Sequence, residues 1–88
     1  MTTNPYFQAG DRVKIRRSWS DIDGAVGTIA IPPEPVQASS GFGAHHFRIE
    51  TTLTGGQTTI YWVTLDPSYP GQEDVESGEF NESELEKL

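Results

Sequence analysis

The chain's two histidines, His45 and His46, are adjacent. On a strand, neighbouring side chains point to opposite faces, so this pair cannot ligate one metal without distortion, and no third ligand stands nearby. Asp21-Ile22-Asp23-Gly24 has the opening of a calcium loop. Such a loop needs oxygen ligands as far as a bidentate glutamate at its end, whereas this chain passes directly into the apolar segment 25–31. A polar turn is the expected reading. Gly41-Phe42-Gly43 lacks the strand-to-helix setting that cradles phosphate. Serines and threonines abound, but none sits in Gly-x-Ser-x-Gly and neither histidine is placed by an acid. Glu82 and Glu84, on a short exposed tail, are expected to do no acid–base work. Cysteine is absent, which removes disulfides, thiol nucleophiles and thiolate zinc sites together. The expectation is a chain that is not itself an enzyme, with no catalytic residue, no metal and no cofactor.

Binding chemistry is better represented. Strand-like segment 58–65, TTIYWVTL, is apolar on both faces: Tyr61, Val63 and Leu65 on one, Ile60 and Trp62 on the other. If Val63 and Leu65 point inward, Ile60 and Trp62 point outward, where either a covering segment (Tyr6 and Phe7, or loop 32–44) or a partner must meet them. Trp19 and Tyr69, in two turn-rich loops, are the natural neighbours of an exposed Trp62, since such aromatics dominate interface energies. The expected protein-binding set is Trp19, Trp62 and Tyr69, supported by Glu73, Asp74 and Glu76. A competing set is basic: Arg12, Lys14, Arg16 and Arg17 cluster in one segment and could meet nucleic acid.

Charge weighs on that choice. The formal net charge is -7, from thirteen acidic and six basic residues. That field repels phosphate backbones and anionic membranes, so nucleic acid is the less expected partner and a membrane is not expected. No run approaches the ~20 apolar residues that span a bilayer, and the opening MTTNPYFQAG reads as neither a basic nor an apolar leader. With no cysteines, a reducing, cytoplasmic setting is expected.

The elements that must position these residues are short. Eighty-eight residues suffice for one domain with one core. Nine glycines, six prolines and many threonines favour strands and turns. Residues 1–10 read as a flexible arm, which Tyr6 and Phe7 could anchor, and 11–88 as the domain. Five strands are expected. Segment 11–17 alternates, with Val13 and Ile15 on one face and Arg12, Lys14 and Arg16 on the other. Segment 25–31 follows, with Gly24 and Gly27 suited to a bend. Prolines 32, 33 and 35 end it and open a long loop, 32–44. Segments 45–53 and 58–65 flank Gly55-Gly56, which reads as a two-residue hairpin turn with positive φ at its centre. A second long loop, acidic and turn-rich, covers 66–78. Phe80 and Leu85 read as core anchors around a turn at 81–84, with 85–88 as the last strand.

The order of motifs sharpens the picture: Gly10-Asp11-Arg12-Val13-Lys14-Ile15, then Gly24-Ala25-Val26-Gly27-Thr28-Ile29, then Tyr61-Trp62-Val63-Thr64-Leu65, then Glu79-Phe80-Asn81-Glu82-Ser83-Glu84-Leu85. This resembles the SH3-like small barrels of bacteria. The first half is similar to the KOW-type barrels of translation and transcription factors. The whole also resembles the barrel group that holds the ferredoxin–thioredoxin reductase variable chain, a small stromal component of photosystem I and the nitrile hydratase β-chain. The resemblance covers about 8–31 and 58–88. It implies an all-β, five-stranded SH3-like barrel with two long loops, acting as a protein-binding module or accessory subunit of a larger protein partner, as a monomer or weak homo-oligomer. The Ala-Leu-Tyr-Asp-Tyr stretch of peptide-binding signalling members has no counterpart here.

Overall fold

The structure, a computed structural model, describes residues 6–67, 71 and 76–88. Six strands, one helix and one 3-10 turn follow in order: β1 (Arg12–Ile15), β2 (Val26–Ile29), α1 (Glu34–Ser40), β3 (Phe47–Thr51), β4 (Gln57–Leu65), β5 (Ser77–Asn81), the 3-10 turn Glu82–Glu84, and β6 (Leu85–Lys87). All pairings are antiparallel, and the order β3-β4-β2-β1-β6 runs through one sheet, with β5 also on β4. The sheet is open, not a closed barrel, and has six strands where five are expected. The additional strand is β5, whose first residues lie in the segment expected to be a loop.

β4 organises the sheet. The Trp62 backbone donates to the His46 carbonyl and accepts from the Ala30 amide, so β3 and β2 follow one another along a single edge of β4. Leu65 donates instead to the Glu76 carbonyl, because alternate residues of a strand turn their amides to opposite edges; β5 occupies that other edge. Gly27, opposite Leu65, lies so close to β4 that an added Cβ would sit 2.7 Å from Val63 Cγ1 and 2.8 Å from the Thr64 carbonyl oxygen.

The main core gathers Phe7, Val13, Ile15, Ile29, Tyr61, Val63, Leu65, Phe80 and Leu85. β1, β2, β4, β5 and β6 all contribute to it, so these strands enclose one apolar volume. Phe7 is 2% exposed, and its segment is tied down by a Gly10 amide bond to the Ile29 carbonyl at 2.8 Å. The arm expected to be flexible is therefore fixed from Phe7 onward.

Trp62 is buried, not exposed. It forms a second cluster with Ile60 and Phe42 on the opposite face of β4, flanked by Ala30 and Val36, and its ring meets the Phe42 ring edge-on with centroids 5.9 Å apart. The cover comes from the segment expected to be a long loop, which contains α1. Its prolines sit where a helix accepts them: Pro33 is the N-cap and Pro35 lies in the first turn, where amides have no intrahelical partner. Gly41 closes the helix in the left-handed region at φ 80°.

The β3–β4 hairpin also differs in detail. Thr52 N–H donates to the Gly56 carbonyl at 2.8 Å, and only Gly55 of the glycine pair has positive φ, at 87°. The connection is thus the three-residue loop Leu53-Thr54-Gly55, closed by a glycine in the left-handed region. β3 ends at Thr51, and Leu53 projects fully into solvent.

Trp62→Ala removes most of the second cluster and leaves a cavity under α1. It is expected to destabilise the fold by about 3–5 kcal/mol, read as a lower urea midpoint. Gly27→Ala forces the backbone of β4 away and is expected to cost about 1–3 kcal/mol in the same assay.

Candidate functional site

Two side-chain assemblies stand out, both anchored on the 3-10 turn. The first starts at Arg17, one of the four clustered basic residues. Its amide donates to Asp23 Oδ1 at 2.7 Å, and Ser20 and Asp23 amides close successive turns onto the Arg17 and Ser20 carbonyls. Asp23 therefore serves as the brace of loop 18–24, as a polar turn requires, and Ile22 packs against the core. The Arg17 guanidinium forms a two-pronged pair with Glu84, Nε to Oε2 at 2.6 Å and the NH2 group to Oε1 at 3.0 Å. Both side chains are largely buried. Glu84 Oε1 also accepts from the Asn81 amide at 3.0 Å, which completes a capping box. The Arg17 hydrogen bonds hold the Glu84 carboxyl below its ordinary range.

This fixed guanidinium lies between two aromatic rings, 4.4 Å from the Phe80 centroid and 5.0 Å from that of Trp19. Phe80 is core, but Trp19 is 79% exposed. A cation–π contact therefore steadies a large ring whose other face is open to solvent. An open groove of about 410 Å³ is lined by Lys14, Arg16, Ser18, Asp23 and Gly24.

The cluster of four basic residues is mostly neutralised. Arg12 forms a two-pronged pair with Asp66 and donates to Thr28 Oγ1 at 2.7 Å. Arg16 reaches Glu86 at 3.1 Å, and Arg17 is held by Glu84. Lys14 alone among the four has no ion-pair partner among the described residues.

The second assembly surrounds Tyr61. Its hydroxyl accepts from the Phe7 amide at 3.2 Å and donates to Glu82 Oε2 at 2.9 Å. Burial pushes this phenol up to about 12, with the Glu82 carboxylate adding to the shift. His46 Nε2 lies 3.0 Å from the Phe7 carbonyl oxygen; a carbonyl only accepts, so that ring nitrogen carries the proton. His45 is exposed beside Phe47. The histidine pair is thus split between an anchor and a surface group. No metal-ligating cluster occurs among the described residues, and no helix among them is long and apolar enough to cross a membrane.

The expected protein-binding set does not assemble as one surface. Trp19 and Trp62 belong to different clusters, one exposed and one covered. Tyr69, Glu73 and Asp74 lie outside the described residues. Glu76 is exposed, and its carbonyl continues the β4–β5 ladder. Sequence reasoning missed the pairing of Arg17 with Glu84 and of Tyr61 with Glu82, contacts spanning 67 and 21 residues. The local signal for the first was the capping spacing of Asn81 and Glu84. Comparison with protein-family models, curated proteins and solved structures found no match for this chain.

Two pH dependences follow. Tyr61 has a raised value in the fold, so its contribution is complete below the unfolded value of 10.0 and is lost as pH rises toward about 12. An ultraviolet tyrosinate titration should show a late-titrating component that disappears in Tyr61→Phe. Glu84 has a lowered value, so its contribution is present above 4.5 and is lost as pH falls through the depressed folded value. Arg17→Gln or Glu84→Gln should flatten the acid limb of stability against pH.

Proposed function

We propose that this chain is a small non-catalytic SH3-like binding module, an accessory unit of a larger protein partner, and that Trp19 is the centre of its binding surface. The observation that carries this reading is the exposed Trp19 ring held on the Arg17 guanidinium. A free, flexible tryptophan would lose side-chain freedom on binding; one already stacked loses less. Ser18, the residue before Trp19, lines a groove that also holds Lys14 and Asp23, so a cation and polar groups are available near an aromatic centre in the chain. The partner's matching surface is an apolar recess with acidic groups beside it.

The SH3-like reading is supported by the path β5-β4-β2-β1-β6 around one core, with a 3-10 turn between β5 and β6. On this reading β3 and α1 are an insertion between the second and third strands of the small fold. The non-catalytic part of this reading rests on the sequence, which carries no nucleophile motif and no cysteine. A KOW-like nucleic-acid role through Arg12, Lys14, Arg16 and Arg17 is the weaker alternative, because three of these side chains already face carboxylates.

The test is affinity capture with the tagged chain from source lysate, with and without nuclease, comparing wild type with Trp19→Ala. A protein retained after nuclease by wild type and lost by Trp19→Ala supports the module. The purified pair should then weaken about 30-fold with Trp19→Ala, while thermal unfolding shifts by no more than about 1 kcal/mol. Partners that vanish with nuclease and depend on Lys14 would replace this reading with the nucleic-acid one. Capture indifferent to Trp19→Ala would remove Trp19 from the site.

A further inference from the structure

We propose that the outer edge of β3 joins a second copy of this chain, antiparallel and two-fold symmetric about Ile49. The proposal starts from which backbone groups are already used. At one end of the β3–β4 ladder Trp62 N–H donates to the His46 carbonyl, and beyond the other end Thr52 N–H donates to the Gly56 carbonyl. Between them Arg48 faces Ile60 and Glu50 faces Thr58. Alternation then assigns His46, Arg48, Glu50 and Thr52 to the β4 side. The amides and carbonyls of Phe47, Ile49 and Thr51 point the other way, along an edge that no described strand occupies.

The side chains along this edge favour one kind of occupant. In an antiparallel pairing centred on Ile49, Phe47 opposes Thr51 of the second copy, and Ile49 opposes itself. Those three residues are the ones with outward backbone groups, so every free donor and acceptor finds a partner. Arg48 then opposes Glu50 of the second copy, and Glu50 opposes its Arg48. These are non-hydrogen-bonded pairs, in which side chains come closest. Within the chain Arg48 reaches Glu50 at 3.4 Å and Glu79 at 2.7 Å, and Glu50 stays more than half exposed, so pairing across the two-fold shares these charges with the second copy. A parallel, in-register pairing would instead set Arg48 against Arg48. The strand's charge order thus selects the two-fold antiparallel arrangement, which closes as a dimer.

The edge lacks the usual defences against pairing. It has no proline, its residues 49–51 are exposed, and Ile49 and Leu53 present apolar side chains to solvent at 41% and 108%. The other edges are guarded. Along β5 the outward Asn81 amide is taken by Glu84. β6 has three residues.

The test is sedimentation equilibrium of the full chain over a concentration series to about 1 mM, with amide exchange measured at both ends of the series. A monomer–dimer equilibrium is expected, with the Ile49 and Thr51 amides slowing as concentration rises while Arg48 and Glu50 amides stay unchanged. Ile49→Pro removes an amide that the β3–β4 ladder does not use and should abolish the dimer. Glu50→Lys should weaken it about tenfold. Arg48→Glu alone should do the same, and an equimolar mixture of Glu50→Lys with Arg48→Glu should restore association. Far-ultraviolet dichroism and a melt on each variant separate loss of pairing from loss of fold. A strictly monomeric wild type, an open-ended polymer, or a dimer indifferent to Ile49→Pro and to the charge mixture would each overturn the proposal.

Discussion

β4 must hide both of its faces. Tyr61, Val63 and Leu65 are buried on one side, Ile60 and Trp62 on the other, and a single sheet can cover only one. The main core solves half of the problem by gathering β1, β2, β5, β6 and Phe7 around the first face. The second face needs an added layer, and the segment between β2 and β3 supplies it by placing Phe42 and Val36 on Trp62 and Ile60. Each large side chain so buried contributes roughly 1.5–3 kcal/mol. Trp62 Nε1 finds no partner among the described residues. An unmatched donor costs about 1–3 kcal/mol, which the burial of so large a ring can offset. The same demand accounts for Gly27, since β2 crosses β4 where no side chain fits between them.

If the two faces of β4 set the sheet, the 3-10 turn ties its loose ends. Glu82 receives the Tyr61 hydroxyl, which in turn holds the Phe7 amide, so the N-terminal segment is fastened through a phenol to the far end of the chain. Glu84 holds Arg17, and with it the loop that carries Trp19. Each of these two carboxylates fixes a distant segment. Their contacts also convert the chain's dipolar sequence, basic at one end and acidic at the other, into internal pairing. Glu84 and Glu86 meet Arg17 and Arg16, and Lys87 reaches Asp11 at 3.7 Å.

What could be read from the sequence was local. Alternation in 11–17 places Val13 and Ile15 inside, and the two-faced character of 58–65 announces that something must cover Trp62. Which segment covers it was not legible, because prolines 32, 33 and 35 read as a break when two of them in fact start a helix. β5 was hidden because Ser77, Gly78 and Glu79 carry turn-like composition; pairing with β4 overrides that preference. The Gly55-Gly56 pair marked the hairpin correctly but not its loop length, since only one glycine needed positive φ. For the candidate site, Trp19 was legible as an exposed loop aromatic. Its support was not, because the stack depends on Arg17 meeting Glu84 and Phe80 across more than sixty residues of chain, and no local pattern reports such a contact.

The exposed features that remain are therefore unequal in meaning. Tyr6, Ile31 and Leu88 are apolar residues in solvent without a shared surface argument, as most folded proteins have. Trp19 differs because energy has been spent on holding it: a partly buried ion pair, an Asp23 brace and two ring contacts converge on the residue beneath it. Phe80 belongs to the main core and also carries the Arg17 guanidinium 4.4 Å from its centroid, so the support of Trp19 is continuous with the core. What this support presents is an indole ring that is 79% exposed. The acidic excess of the whole chain opposes polyanions at long range, which agrees with the short-range role proposed for that ring.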